Sequence, residues 1–256
     1  MRRKPKENPY PNDNPRFDHR TSAEKPVNVI PRIVPLSEQG LTVEFGETID
    51  LQTNKLVLDF AATVERATIP GVMEVVPTYR SATIYFNPLL TDAAAVTAQL
   101  RLLLATAFPA TDPAHTTHHI PVCYGGELGP DLIDVAEQSG LTPAQVITLH
   151  ASVTYHVYML GFSPGFPYLG MVPDRIVAPR LPTPRKQVAA GSVGIAGSQT
   201  GIYPQASPGG WRIIGRTPVH LFSLTRPQPF LVAAGDQVQF IPIDMEEFRD
   251  LSSDHT

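Results

Sequence analysis

The chain has 256 residues, of which 42% are hydrophobic and 17% charged, enough to bury the core of one or two domains. It carries 20 Lys and Arg against 24 Asp and Glu, and this net charge of -4 argues against nucleic-acid binding through a basic surface. The single cysteine, Cys123, excludes an internal disulfide and cysteine-based zinc sites. No apolar run is long enough to span a bilayer, so we expect a cytoplasmic protein with no membrane partner.

Residues 1–30 differ in composition from the rest of the chain. They contain seven Lys and Arg, four Asp and Glu, and five prolines, with almost no aliphatic side chains. Such a segment buries too little apolar surface to offset the entropy of ordering it. We therefore predict a flexible N-terminal arm over residues 1–30.

Residues 31–110 have the pattern of a small α+β domain. Period-two and helical spacings predict, in order, a strand, a helix, a hairpin and a second helix over residues 41–45, 54–64, 72–86 and 91–108. The first helix is expected to open at Asn54, and the second at Asp92. Helices and strands in this order favour a two-layer sandwich.

Residues 111–245 have a different composition, rich in glycine and proline after a predicted linker over 111–118. Two short helices over 130–139 and 143–150 precede a series of short apolar runs. The predicted strands are residues 155–160, 193–196, 211–214, 220–224 and 237–241. This spacing favours a β-barrel, followed by a polar tail over residues 246–256.

The segment Gly161-Phe-Ser-Pro-Gly165 has the letters of the nucleophile elbow of serine hydrolases. The residue after an elbow serine supplies an oxyanion-hole N–H, which Pro164 lacks. We therefore interpret the segment as a rigid turn that presents Phe162, Phe166 and Tyr168 on one loop, where they are able to line a pocket.

The run from Gly191 to Gly201 contains four glycines that fit neither a P-loop nor a dinucleotide fingerprint. The glycines either let backbone N–H groups converge on an anion or mark strand corners of a small barrel, and corners are the favoured interpretation. Arg180, Arg185 and Lys186 precede the run, and they fit an anion site and a solvated positive turn equally well.

The remaining polar candidates are weak. His150 closes a helix just before the aromatic loop, so it is either a base or a core histidine. Glu127 and Asp131 flank a helix start, where capping is the simpler role and an acid/base pair the alternative. The histidine spacings contain no metal-ligand motif, so we expect no metal site.

Four long blocks, in order, resemble one known family. They are Pro121–Glu127, Tyr158–Gly170, Ala190–Pro204 and Ser207–Pro218. They are similar to the B subunit of bacterial 5-oxoprolinase, in a family that includes the allophanate-hydrolase subunit 1 proteins, a sporulation histidine-kinase inhibitor and part of the urea carboxylases. The resemblance implies a ferredoxin-like N-terminal domain and a cyclophilin-like β-barrel C-terminal domain.

The resemblance also implies a function. Members of this family act with the A and C subunits of 5-oxoprolinase to open 5-oxo-L-proline to L-glutamate while hydrolysing ATP, with Mg²⁺ expected to accompany ATP. Two alternatives stay open: a regulatory protein that binds and inhibits a sensor histidine kinase, and one component of an enzyme that hydrolyses allophanate or another amide. Pocket shape, which no motif reports, would separate the small amides.

The resemblance implies roles for particular residues. The catalytic candidates are His150, Glu127 and Arg185. The residues implied to bind substrate or phosphate are Arg180, Lys186, Gly191, Ser192, Gly197, Gln199 and Arg216. Those implied to line the pocket are Tyr124, Phe162, Pro164, Phe166, Tyr168, Tyr203 and Trp211.

Overall fold

The structure, a computed structural model, describes residues 31–106 and 116–253. The predicted arm over 1–30 and most of the predicted linker lie outside these residues. The strands are β1 (Arg32–Ser37), β2 (Gly40–Glu44), β3 (Val72–Pro77), β4 (Ser81–Phe86), β5 (Thr117–Tyr124), β6 (Thr154–Leu160), β7 (Pro167–Gly170), β8 (Arg185–Val188), β9 (Ser192–Ala196), β10 (Gln199–Ile202), β11 (Ser207–Gly209), β12 (Arg212–Arg216) and β13 (Gln237–Ile243). The helices are α1 (Leu51–Ala67), α2 (Ala93–Ala105), α3 (Leu132–Ser139), α4 (Pro143–Ala151) and α5 (Met245–Ser253).

The first unit is a four-stranded antiparallel sheet in the order β1-β2-β4-β3, with α1 and α2 contributing to its core. Phe60 of α1 and Leu100 of α2 are fully buried with Ile84 of β4. A ferredoxin-like βαββαβ unit would place a strand that follows α2 beside β2. Among the described residues β1, which precedes β2, occupies that position, so the ferredoxin-like arrangement is not confirmed.

Helix α1 begins earlier than the sequence predicts. The Asp50 carboxylate accepts the Thr53 N–H at 2.8 Å and caps the helix, so the prediction that Asn54 opens it is wrong. Asn54 lies in the first turn and is fully buried. Both residue types cap helices well, and tertiary burial decides between them.

The second unit is a closed seven-stranded barrel in the order β10-β7-β6-β13-β5-β12-β9, which confirms the predicted barrel. Its β13–β5 pair is parallel, and its other pairs are antiparallel. Closure pairs every strand on both sides and leaves no exposed edge. Outside the barrel, α3 packs against β12 and α4 against β13, while β8 and β11 form a separate ribbon.

Several segments differ from the sequence prediction. The predicted linker overlaps β5, whose first residues, Thr117 to His119, are polar because that end of the strand is largely exposed. The predicted strand over 220–224 contains only a bridge between Phe222 and Phe230. The predicted polar tail is mostly helix α5, an exposed helix with no buried residue. Exposed polar strands and helices lack the apolar periodicity on which prediction depends.

The side chain of Asn54 joins the two units. Its amide nitrogen lies 3.0 Å from Thr78 O and 3.2 Å from Tyr79 O, both in the β3–β4 turn, and 3.1 Å from Tyr158 O of barrel strand β6. Its amide oxygen accepts from His156 Nε2 at 2.8 Å. One buried amide therefore connects α1, the β3–β4 turn and the barrel.

We predict that Asn54→Ala lowers the free energy of unfolding by about 3 kcal/mol, because it leaves buried carbonyl groups without a donor. Chemical denaturation of the purified chain measures this loss. Asn87→Ala is the matched control, since the Asn87 side chain accepts one exposed hydrogen bond, from Leu89 N. Equal, small effects of the two substitutions would contradict the assignment of Asn54 as the connecting residue.

Candidate functional site

Aromatic side chains gather on one side of the barrel around Phe166. The Phe166 ring lies 4.9 Å from that of Tyr168, 5.1 Å from Tyr203, 5.3 Å from Trp211 and 5.6 Å from Phe162, centroid to centroid. Phe166, Tyr203 and Trp211 are buried, Tyr168 is half-buried and Phe162 is exposed. The structure thus brings together five of the seven residues predicted to line a pocket, and we call this group the aromatic face.

Two arginines lie beside the aromatic face. The Arg180 guanidinium is exposed and lies 6.0 Å from the centroid of the Trp211 ring, a cation–π distance. Burial raises the pKa of Tyr203, and a hydrogen bond with the Trp211 backbone and the charges of Arg180 and Arg185 partly oppose that rise. The aromatic face therefore carries positive charge and suits an anion.

The position of Arg185 is fixed by Asp131. One Asp131 carboxylate oxygen accepts from Arg185 Nη2 at 2.7 Å, and the other accepts the Ile213 N–H at 2.6 Å. Arg185 Nη1 is buried and has no hydrogen-bond partner among residues 31–106 and 116–253. Asp131 is the N-cap residue of α3, as predicted for a carboxylate at a helix start, but its side chain makes no capping hydrogen bond and binds Arg185 and Ile213 instead.

We predict that Asp131→Asn destabilises the chain by about 2 kcal/mol, because the buried amide cannot satisfy both the guanidinium and the Ile213 N–H. Asp134→Asn provides the control. Asp134 lies on the same helix, pairs with Arg212 at 3.3 Å and is 56% exposed, so its loss is expected to cost less than about 1 kcal/mol. Thermal unfolding of both variants measures the difference, and a control that loses as much as Asp131→Asn would contradict this role.

The first unit also reaches the aromatic face, through Tyr79 in the β3–β4 turn. Its ring lies 5.8 Å from the Tyr168 ring and 5.6 Å from the Tyr158 ring. The amide nitrogen of Gln199, a predicted binding residue, donates to the Tyr79 hydroxyl. Sequence reasoning missed Tyr79, because a tyrosine in a hairpin turn gives no signal that it contacts a barrel residue 120 positions away.

The glycine run forms the β9–β10 hairpin of the barrel. Gly191 N donates to Tyr203 O and Gly197 N to Ala178 O, each at 2.7 Å, and Ser192 O accepts from Tyr203 N at 2.9 Å. Gly191 and Gly197 have φ of 78° and 61°, which side-chain-bearing residues rarely adopt. Because these N–H groups are used within the chain, the backbone anion cradle implied for Gly191 and Gly197 is wrong, and barrel corners are confirmed.

His150 lies inside the barrel, fully buried and stacked on Phe240 at 4.6 Å. The Thr200 hydroxyl donates to Gly194 O, so it accepts from His150 Nε2 at 2.9 Å, and His150 Nδ1 accepts from the Tyr124 hydroxyl at 2.8 Å. Burial lowers the pKa of His150 to about 3. A neutral ring with both nitrogens bonded is a core histidine, so the predicted catalytic role for His150 and the pocket role for Tyr124 are not supported by this geometry.

Burial of neutral His150 predicts a pH dependence of stability. Below a pH of about 6.5 the unfolded chain binds a proton at this ring that the folded chain does not bind, so stability falls between about pH 6.5 and pH 3. This one group is expected to cost about 2 kcal/mol between pH 8 and pH 5. His150→Gln does not titrate, so the difference in unfolding free energy between the two proteins should shrink by that amount. A constant difference would contradict a depressed pKa.

Several of the other predicted residues are exposed or serve the fold. Glu127, Lys186 and Pro164 are exposed. Arg216 Nε donates to Ala190 O at 2.7 Å and fastens the turn before β9. Ser163 Oγ is buried with no hydrogen-bond partner among the described residues, and no base contacts it, so the structure provides no nucleophile elbow.

The larger grooves lie elsewhere. One of about 590 Å³ runs between β3 and residues 227–234, and one of about 940 Å³ between α1 and residues 233–237. Neither is lined by a predicted site residue. Within residues 31–106 and 116–253, no group of three or more His, Cys, Asp or Glu side chains is placed to hold a metal ion, and no helix is long and apolar enough to cross a membrane. The aromatic face is open to solvent at Phe162 and at the neighbouring Arg180, which are both exposed.

Residues 31–232 match the family described as carboxyltransferase domain, subdomain C and D. The chain is 40% identical over 228 residues to the B subunit of 5-oxoprolinase from Bacillus subtilis (strain 168), covering 85% of this chain and 95% of that protein. The chain belongs to the 5-oxoprolinase B-subunit family. The expectation drawn from the four sequence blocks is confirmed.

Two solved structures have a similar fold. The crystal structure of TTHA0988 is 36% identical with a TM-score of 0.72, over 81% of this chain. The chain spans 40% of the length of that protein. The Kluyveromyces lactis urea carboxylase, at 22% identity and a TM-score of 0.71 over 90% of this chain and 24% of that chain, shows the same fold.

Proposed function

We propose that this chain is one component of an ATP-dependent 5-oxoprolinase that opens 5-oxo-L-proline to L-glutamate together with the A and C subunits of that enzyme. The observation that carries the proposal is the aromatic face with Arg180 exposed beside it, in a chain of the 5-oxoprolinase B-subunit family. 5-Oxo-L-proline is a small, flat ring with one carboxylate. A ring of this kind packs on the half-buried Tyr168, while the guanidinium takes the carboxylate.

Hydrolysis of a lactam is difficult because the amide nitrogen is a poor leaving group. Transfer of the γ-phosphoryl of ATP to the lactam oxygen would activate the ring carbon. Water would then add to that carbon, and the C–N bond would break as the nitrogen takes a proton, which gives γ-glutamyl phosphate and ADP. A second water would hydrolyse this acyl phosphate to glutamate and phosphate. Arginine donors at the aromatic face would stabilise the charge on the transferred phosphoryl group.

The described residues do not supply every group that this reaction needs. His150 is buried and neutral, and the Asp131 carboxylate is used by Arg185 and Ile213. We therefore infer that the base acting on water comes from a partner protein docked on the aromatic face. An open face lined by the predicted binding residues supports a site completed by another chain.

ATP fits this face better than Mg²⁺ does. The donors beside the aromatic rings are guanidinium groups and a neutral amide, which suit phosphate oxygens. Mg²⁺ requires oxygen ligands, chiefly carboxylates, and the carboxylate that lies beside Arg185, that of Asp131, is already paired. These residues do not fit a magnesium ion, and no step is assigned to one on this chain.

Hydrolysis of another amide would use the same face. It differs from this proposal only in the substrate that the complex hydrolyses. Kinase inhibition is a binding function that needs neither arginine, and no contact among the described residues favours it. Both alternatives are outcomes of the experiment below.

The test is the complex of this chain with the A and C subunits of 5-oxoprolinase, assayed for ADP and glutamate with and without 5-oxo-L-proline. We expect matched formation of the two products. Arg180→Gln should raise KM for 5-oxo-L-proline at least about tenfold, because a charge-assisted hydrogen bond to the carboxylate is lost.

Arg175→Gln is the matched control, since Arg175 is also exposed and lies in the preceding short 3-10 turn. A stable complex that forms no glutamate would overturn the proposal and direct the assay to other amides and to kinase binding. An active complex in which both arginine variants behave alike would contradict the role of Arg180.

A further inference from the structure

We propose that Tyr79, from the first unit, fixes the amide of Gln199 so that its oxygen accepts the N–H of a cyclic amide substrate. Tyr79 is thereby a positioning residue that makes the site select for lactams. The inference rests on the proposed function and deepens it. It follows from three features: the Tyr79–Gln199 hydrogen bond, the neighbouring Arg180, and the way in which Tyr79 is held.

The hydrogen bond sets the orientation of the amide. Gln199 Nε2 donates to the Tyr79 hydroxyl oxygen. A glutamine amide has one donor end and one acceptor end, so fixing Nε2 also fixes the direction of Oε1. Oε1 makes no hydrogen bond to any described residue and is therefore available as an acceptor. Gln199 is half-buried at the start of β10, where the strand allows little backbone movement.

The charge of Arg180 acts on the same tyrosine. Burial raises the pKa of Tyr79 well above its usual value, and the hydrogen bond with Gln199 and the charge of Arg180 partly oppose that rise. In 5-oxo-L-proline the ring nitrogen and the carboxylate are bonded to the same carbon. Tyr79, which orients Gln199, contacts the Tyr168 ring, and Tyr168 contacts Trp211, over which Arg180 lies. An acceptor at Gln199 Oε1 and a cation at Arg180 on the same aromatic face are complementary to that N–H and carboxylate pair.

Several contacts fix the position of Tyr79, so its hydroxyl can orient the Gln199 amide. Its backbone carbonyl accepts from Asn54 Nδ2 at 3.2 Å, and its ring contacts Tyr158 and Tyr168. Because burial disfavours the phenolate, the hydroxyl stays protonated and neutral at physiological pH. A neutral phenol orients the amide without introducing a negative charge that would repel the substrate carboxylate.

The first experiment is steady-state kinetics of the complex with Tyr79→Phe, which keeps the ring and removes the hydroxyl. We expect KM for 5-oxo-L-proline to rise about five- to twentyfold, with kcat within about twofold, because the amide loses its orientation and not the reacting groups. Tyr85→Phe, on strand β4 of the same sheet, is the matched control. An unchanged KM in Tyr79→Phe would overturn the inference.

A substrate analogue distinguishes loss of the Gln199 amide orientation from a general loss of substrate binding in Tyr79→Phe. 5-Oxotetrahydrofuran-2-carboxylate has a ring oxygen in place of the N–H, so its inhibition constant should be the same for the wild type and Tyr79→Phe. Gln199→Met should raise KM for 5-oxo-L-proline as Tyr79→Phe does, and the two changes together should cost no more than either alone. Additive effects, or equal loss of lactone affinity, would overturn the inference.

An NMR measurement on the full chain tests the lactam contact independently of the proposed reaction. It follows the side-chain amide resonance of Gln199. We expect it to shift when 5-oxo-L-proline is added to the wild type and not to Tyr79→Phe. An inactive complex in which this shift persists would overturn the proposed reaction and leave the lactam contact standing. A catalytically active complex with no such shift would overturn the contact alone.

Discussion

The buried amide of Asn54 is the interaction on which the arrangement of the two units depends. It donates toward three carbonyl oxygens on two units and accepts from His156 of the barrel. An amide has both donors and an acceptor, so this single buried side chain satisfies polar groups of a turn in the first unit and of a barrel strand in the second. Tyr79 stands next to Thr78 in the turn that Asn54 holds, and it is the residue through which the first unit reaches the aromatic face.

The aromatic face combines hydrophobic packing with positive charge on an open surface. Phe166 packs against four other rings and is buried, which makes the centre of the face rigid. Arg180 is exposed at its border, and Arg185 is oriented by a buried carboxylate. Under the proposed function, the rings and arginines would bind a small anionic ring, and the base would come from a partner protein.

Several residues that the sequence indicates as site candidates stabilise the barrel and do not form the site. His150 and Tyr124 bond to each other in its interior, and the glycine hairpin uses its own N–H groups for strand pairing and turns. Thr200 and Gln199 are adjacent in the chain but contact different parts of the structure. Successive side chains of a strand point to opposite faces, so Thr200 contacts His150 inside while Gln199 reaches Tyr79 outside. Sequence spacing alone does not say which of the two faces is the interior.

The sequence by itself determined the family, the change from an α+β unit to a barrel, and the collection of aromatic residues beside arginines. Local patterns in the sequence indicate these properties: apolar periodicity, glycine and proline positions, and four long motifs. Only the tertiary structure decided that His150 is buried, that Asp131 binds Arg185 rather than a helix end, and that Tyr79 joins the site. Each of these depends on contacts between residues more than 45 positions apart in the chain, and burial and pairing at that range leave no local signal.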